Sequence, residues 1–479
     1  MRMDGKLPDS ATAEKQSTKY GLKDLWDEFC HSTGLHAVSK IKTPSAKPIS
    51  IRGLMWMLAV CSTTAFLIYN LIDELETYYS YPTVTKVTTQ MTSFVEFPAV
   101  TICNRCTLNK TRLDAYPGLE DYFFNTSQEL NRNFSFPEPT SDLFHKPLSL
   151  EWWRNVSMDG DEMLVMCSFG GEDFECMSRF RPVFTTEGLC HTFNFNNSEI
   201  VKAWTAGDDA NLILIFNIDQ DVYTYKANMA AGIKVLLHHP RLHPDASSTV
   251  VMASPGFSTY VALQKQEFSF LPSPYKAFGS QECVDTTHPA FVNPLKYYSP
   301  YTYDHCFMEC VRVRAFNECG CVGPSDPQDG RICSLVKQHG CYTAFVRKMS
   351  KNGAFVEECG CVGACTLERY TAQVSSSSFP ANIWTNNVLN TTKARDKEMM
   401  IDNFLELRVF YDLIMLKSTT QQPQYTSASL FSNIGGQIGL CLGASILTVA
   451  EIAELLVFII IFLLDKCRGR KARNRIRNW

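Results

Sequence analysis

Little in this sequence speaks for catalysis or for a nucleic-acid partner. Outside its apolar segments there is no phosphate-cradling glycine loop, no His-Glu-x-x-His pair and no Gly-x-Ser-x-Gly elbow, and the acidic residues are scattered rather than clustered. The formal net charge is only -4, which offers a polyanion no basic excess, and the one low-complexity stretch is Ser375 to Ser378. The first fifty residues are polar and lack an apolar core of signal-peptide type, so targeting is expected to fall to the first apolar run. No cofactor and no bound metal are expected, and a two-span ectoenzyme would lack its catalytic residues. An adhesion or structural role stays open at this point.

Apolar sequence and cysteine, by contrast, are plentiful. Among 479 residues, the twenty from Gly53 to Ile72 carry no charge, about the length that crosses a hydrocarbon core as a helix. A second run, Ile434 to Leu464, is interrupted only by Glu451 and Glu454, and with the residues that open it the expected second span is 432–464. Lys40, Lys42, Lys47 and Arg52 precede the first span, seven basic residues from Lys466 to Arg477 follow the second, and Asp73, Glu74 and Glu76 follow the first. The positive-inside rule then places 1–52 and the tail 465–479 in the cytosol and 73–431 outside the cell, in a multi-pass plasma-membrane protein. The tail reads as a topology determinant, with contact to anionic lipid as the sharper alternative. Two further signals agree with an extracellular middle. Asn-x-Ser/Thr acceptors fall at Asn109, Asn125, Asn133, Asn155, Asn196 and Asn390, and fifteen of the 19 cysteines lie in the same stretch.

That stretch reads as one disulfide-rich α+β ectodomain. Alternation predicts strands over Asn211–Ile218, Gly232–Leu237, Gly256–Leu263 and Phe404–Leu416, and helices over His305–Glu318 and Thr391–Asn403. Ten cysteines crowd between Cys283 and Cys365. Cys306 and Cys310 share one face of a helix, and Cys359 and Cys361 share one face of a strand at nearly the same separation, so two disulfide rungs could rivet them. Zinc is the competing reading, but its usual spacings are Cys-x2-Cys or paired histidines in reducing compartments.

Four blocks resemble the degenerin, epithelial sodium channel and acid-sensing ion channel family, the amiloride-sensitive sodium channels. They are Tyr81-Pro-Thr-Val-Thr-Lys86, Phe97-Pro-Ala-Val-Thr-Ile-Cys-Asn104, Ser376-Ser-Ser-Phe-Pro380 and Asn433-Ile-Gly-Gly-Gln-Ile-Gly-Leu-Cys-Leu-Gly-Ala-Ser445. The resemblance implies a membrane protein with two transmembrane helices, assembled as a homotrimer or heterotrimer, whose ectodomain has palm, thumb, finger, knuckle and ball parts. The finger falls at about 104–190 and looks short, the thumb at about 283–365, and Tyr81 and Tyr275 take the wrist-coupling positions. It also implies the pairs Cys103–Cys190, Cys167–Cys176, Cys283–Cys365, Cys306–Cys361, Cys310–Cys359, Cys319–Cys341 and Cys321–Cys333. Cys106 is left over, with no assigned partner.

The same resemblance makes Gly443, Ala444 and Ser445 the selectivity filter, where departure from helical geometry would turn backbone carbonyls toward a water-filled axis. Packing between helices is the plainer reading of Gly435, Gly436, Gly439 and Gly443. Glu451 matches the family's acidic pore position, and Glu454 lies on nearly the same face. Carboxylates are costly against lipid, so both are expected to face water or a partner. Ser432 and Asn433, with Gly435 and Gly436, form the expected outer pore and gate, and they replace a Gly-Asp pair common in acid-sensing members, which predicts weaker attraction of divalent ions. His36 and Ala37 stand in place of the family's His-Gly pair in a re-entrant segment, where restoring glycine is expected to raise open probability.

Sodium is the permeant ion that the resemblance implies, amiloride the blocker, and identical or homologous subunits the partners. The stimulus is expected to differ from that of the acid-sensing members. Arg241 and Leu242 stand where an adjacent acidic pair is found there, Thr343 and Arg347 stand near acidic thumb positions, and Thr83 replaces a common histidine. An unknown extracellular ligand such as a peptide, or a constitutive leak, is therefore expected to set the current. His238, His239 and His243 keep proton gating or proton modulation as the alternative.

Overall fold

The computed structural model describes residues 27, 29–30, 32–35, 51–128, 142–196, 198–225, 230–246, 248–327, 330–351, 353–386, 389 and 396–476. His36, Ala37, Asn133 and Asn390 lie outside them. Two compact units emerge, one made of 1–83 with 423–479 and the other of 84–422.

The first unit holds α1 (Ile51–Tyr79) and, from the other end of the chain, α6 (Ser427–Leu442) and α7 (Ile446–Ile476), with α6 packed on α1. The first helix does not stop with the apolar run at Ile72. Leu, Glu and aromatic residues continue its hydrogen bonding to Tyr79, so Asp73, Glu74 and Glu76 ride on its last turns rather than beginning a loop. Likewise α6 starts at Ser427, ahead of the expected 432, because Thr426 and Ser429 form a reciprocal capping box there.

In the second unit, a seven-stranded sheet runs β13 (Thr366–Ser378), β12 (Phe257–Ser269), β14 (Phe404–Pro423), β9 (Leu212–Asn217), β4 (Leu164–Phe169) and β5 (Glu172–Asp173), with β1 (Thr83–Met91) also on β14. Only β12 and β14 are recorded as parallel among the described pairings. A five-stranded sheet runs β11 (Thr249–Ala253), β10 (Ile233–His238), β3 (Ala99–Asn104), β7 (Gly188–Phe193) and β6 (Phe180–Thr185). Alternate residues of β9 (Leu212, Leu214, Phe216) and β14 (Leu405, Leu407, Val409, Tyr411) point into a core shared with Ile102, Val235 and Leu237 of the other sheet and with Phe97 just before β3. A two-stranded pair, β2 (Val95–Glu96) with β8 (Lys202–Ala203), completes the strands.

β12 and β14 outrun the expected ranges, which ended at Leu263 and Leu416. Beyond Leu263 the alternation of β12 dissolves into Gln264, Lys265, Gln266 and Glu267, yet pairing with β13 continues in register to Ser269↔Thr366. The serine run 375–378 is itself the end of β13, paired with Phe257–Tyr260. A helix of the thumb, α4 (Tyr303–Cys319), is capped by the Thr302 side chain, which accepts from the His305 N–H, and ends on left-handed Gly320. The helix expected over 391–403 is α5 (Lys397–Asn403), capped by Asp396, with 391–395 outside the described residues.

Seven disulfides form, and they are the seven pairs that the resemblance implies. One detail differs. Cys359 and Cys361 flank Gly360 at φ 60° in a turn, not on a strand, and reach Cys310 and Cys306 at Cα separations of 5.9 and 5.8 Å. A left-handed glycine between them aims both thiols at one helix face as a strand's period of two would. Cys106 is a buried free thiol, within 3.4 Å of Thr224 Oγ1. Asn155 and Asn196 are exposed, but Asn109 is buried, and its Oδ1 accepts from the N–H of Thr111 at 3.0 Å as a helix cap. That position has no room for a glycan.

Candidate functional site

Among the described residues, two helices are long and apolar enough to cross a membrane, Ile51–Tyr79 and Ile446–Leu464. Their apolar side chains, Leu58, Phe66, Val449 and Ile460 among them, stay exposed, as a surface meant for lipid or further helices would. The run read as one second span is in fact two helices. α6 ends where Gly443 turns left-handed at φ 67° and its N–H donates to the Gly439 carbonyl at 2.9 Å. Ala444 and Ser445 are non-helical, and α7 restarts when the Ser445 carbonyl accepts from the Thr448 N–H at 3.0 Å while Thr448 Oγ1 accepts from the Ser445 N–H at 3.1 Å. A non-glycine residue at 443 would meet the steric cost of that left-handed angle. Ending α6 here also deprives its last carbonyls of helical partners just ahead of the second candidate span.

The break is packed from within the chain. The Gly34 N–H donates to Glu451 Oε2 at 3.0 Å, and a Cβ on Gly34 would stand 3.2 Å from Thr448 Oγ1. The segment just before His36 and Ala37 thus lies against the restart of the second span. Glu454 follows three residues on and is exposed. Toward the start of α6, Asn433 Nδ2 donates to Glu74 Oε1 of α1 at 2.6 Å, while Ser432 is exposed and nothing stands within 4 Å of a Cβ on Gly435 or Gly436. Tyr81 is left-handed at φ 52°, next to Pro82, whose carbonyl accepts from Gln424 N–H at 2.9 Å. Tyr275 belongs to the other unit, where its N–H donates to Pro272 O at 3.1 Å.

Residues 29–455 match the family model described as amiloride-sensitive sodium channel. The chain belongs to that family. Acid-sensing ion channel 4-B of Danio rerio is 27% identical over 91% of this chain and 76% of its own length. Acid-sensing ion channel 1A of Danio rerio is 28% identical over 92% and 90%, and acid-sensing ion channel 1 of Gallus gallus 28% over 94% and 86%. A solved proton-activated chloride channel aligns over 85% of this chain and 98% of its own at 8% identity, with a TM-score of 0.34 that carries no argument. The amiloride-sensitive sodium channels are ion channels, so the ectoenzyme and adhesion readings fall.

The ectodomain histidines His238, His239 and His243 do not share one set of partners. His238 is buried between sheet and loop, with Nε2 2.8 Å from Thr101 Oγ1 and Nδ1 3.0 Å from the His239 carbonyl, and burial pushes its pKa down to about 3. His239 faces Glu368 at 3.6 Å, yet burial outweighs that carboxylate and lowers its pKa. His243 lies 3.8 Å from Asp245, and burial again lowers the imidazole and raises the carboxyl. Arg241 and Arg347 are exposed.

Groups that sequence reasoning missed carry the buried charge instead. Lys265, only 4% exposed, lies 3.0 Å from Glu96, 3.0 Å from Glu368 and 3.7 Å from Glu267. Burial disfavours its ammonium, but Glu368 and Glu96 overcome that and raise its pKa. The signal was present: Val261, Leu263 and Lys265 share the inward face of β12 by period two. Asp326 is pushed up by burial although Tyr342 Oη donates to it at 2.6 Å. Beside the lysine network opens a cleft of about 920 Å³, lined by Glu267, Glu368 and Arg369 of the strands, by His239 just after β10, by Tyr301 just ahead of α4 and by Asp304 in its first turn.

Proposed function

We propose that this chain is one subunit of a trimeric, sodium-permeable, amiloride-blocked cation channel of the plasma membrane, with both termini in the cytosol, opened by an extracellular ligand or open constitutively. The observation that carries the reading is the break at Gly443–Ser445, followed within two helical turns by Glu451. In a threefold assembly the break supplies carbonyls to a narrow axis, and three Glu451 carboxylates draw cations and repel anions just beyond it. Exposed glycosylation acceptors at Asn155 and Asn196 and the basic residues flanking the spans support that orientation. The cleft between the strands and the base of α4 offers a ligand mixed charge and aromatic surface.

The test is electrical. Cells expressing the chain should carry an amiloride-sensitive current whose reversal potential follows sodium, and Glu451→Gln should shift the sodium-to-anion preference while the protein still reaches the surface. An anion current, or subunit counts of two or four, would sink the reading.

A second reading, gating or modulation by protons, rests on Asp245 and Asp326, whose carboxyls burial raises. It predicts a current evoked by dropping the pH from about 7.4 to about 6 and lost in the Asp245→Asn, Asp326→Asn double variant. Without that acid-evoked current, the ligand or leak reading stands.

A further inference from the structure

Charge counted along the second span alone predicts a weak hold on divalent cations, because Asn433 is neutral. The structure adds a residue that such a count omits. α1 runs on to Tyr79, so Glu74 stands near its outer end, and Asn433 stands in the second turn of α6. Their side chains meet, with Asn433 Nδ2 donating to Glu74 Oε1 at 2.6 Å, although 359 residues separate them. A bond from a neutral amide to a carboxylate is charge-assisted and directional, and it leaves the negative charge in place, as a bond from Arg or Lys would not.

We infer that Glu74, oriented by Asn433, is the specificity-determining carboxylate of the outer mouth. In a trimer it contributes one carboxylate per subunit from the first span, replacing the charge that position 433 does not supply. A ring of three such groups concentrates cations at the entrance, and hard oxygen ligands favour calcium in competition with sodium. Asn433 is a positioning residue here: it holds the carboxylate beside α6 rather than leaving it to swing toward bulk water. This rests on the channel reading above.

The experiment measures voltage-dependent block of sodium current by external calcium in the full chain. Glu74→Gln is expected to weaken block about fivefold and to lower conductance at low sodium, while Asn433→Ala, which frees the charge without removing it, has a smaller effect in the same direction. The reciprocal exchange, Glu74→Gln with Asn433→Asp, moves the carboxylate to the second span and the amide to the first, and should restore block. A cysteine pair, Glu74→Cys with Asn433→Cys, should cross-link within one chain in the membrane whatever the state of the gate. Unchanged block in Glu74→Gln, no rescue by the exchange, or failure of the pair to cross-link overturns the assignment. A chain at the cell surface that carries no cation current under any condition overturns the channel reading instead.

Discussion

In the ectodomain the chain covers its own apolar surface: Phe97, Leu214, Phe216, Leu407 and Val409 are fully buried between two sheets, and seven disulfides tie the loops around them. In the spans Leu58, Phe66, Val449 and Ile460 stay exposed, and no disulfide is recorded among the described residues of that unit. One unit builds a closed core within a single chain, although Trp204, Val292, Ile383 and Trp384 stay exposed on it, and the other turns most of its apolar side chains outward. The difference teaches where stability and function reside. Covalent and apolar closure give the ectodomain a core of its own, while on the channel reading proposed above the helix break and the carboxylates of the spans would act only in an assembly of subunits.

Removing the ladder's rungs should damage this contrast most. Cys306–Cys361 and Cys310–Cys359 are nested, so once one rung has formed the other closes only a short loop. Replacing one pair by serine is expected to cost about 2 kcal/mol and replacing both about 5 kcal/mol, read as thermal unfolding of the detergent-solubilised full chain. The transition of the spans should not move. Equal losses for one rung and for two would mean that the thumb is held by its packing rather than by covalent closure.

A second, somewhat smaller effect tests whether the ectodomain core is sealed only by apolar contact. Lys265→Met should cost about 3 kcal/mol, because it leaves Glu96, Glu267 and Glu368 crowded without a cation, each still in partial contact with water. Replacing Lys265 and Glu368 together by Met and Leu should recover much of the loss. If Lys265→Met is as stable as the parent, water already shields the carboxylates and the network is a surface feature.

How far the sequence showed all this follows the same division. The break at Gly443 and the acids that follow it were legible because each rests on a local signature, a glycine-rich block or a charge in an apolar run. Spacing suggested only two rungs of the ladder, and the full set of cysteine pairs came from the family resemblance. The far half of β12 and all of β13 were not legible, because Gln264, Lys265, Gln266 and Glu267 read as solvent-facing until the partner strand is known. The bond between Glu74 and Asn433 was equally hidden, since nothing local links residues at opposite ends of the chain. The histidines between 238 and 243 misled in the other direction: neighbours in sequence, they face Thr101, Glu368 and Asp245, three separate surroundings.

His238 carries the smallest expected effect at mild acidity, and it separates the two units by pH. Its folded-state pKa is pushed down to about 3 from the ordinary 6.5, with burial as the main cause. In the unfolded chain the imidazole takes up a proton near pH 6.5, whereas in the folded ectodomain it stays neutral, so the unfolded state binds more protons throughout the interval between those values. Stability is then fully present above about pH 6.5 and is lost as pH falls below it, by about 0.8 kcal/mol at pH 6 and about 2 kcal/mol at pH 5. His239, His243 and His305, each lowered by burial, act in the same sense, while Asp245 and Asp326, each raised, oppose it. His238→Gln keeps a hydrogen-bonding side chain beside Thr101 and removes the proton uptake, so its unfolding temperature should fall less than the parent's between pH 7 and pH 5. Parallel falls would mean that His238 is reached by water in the folded state, and that the ectodomain is less closed at that seam than its packing implies.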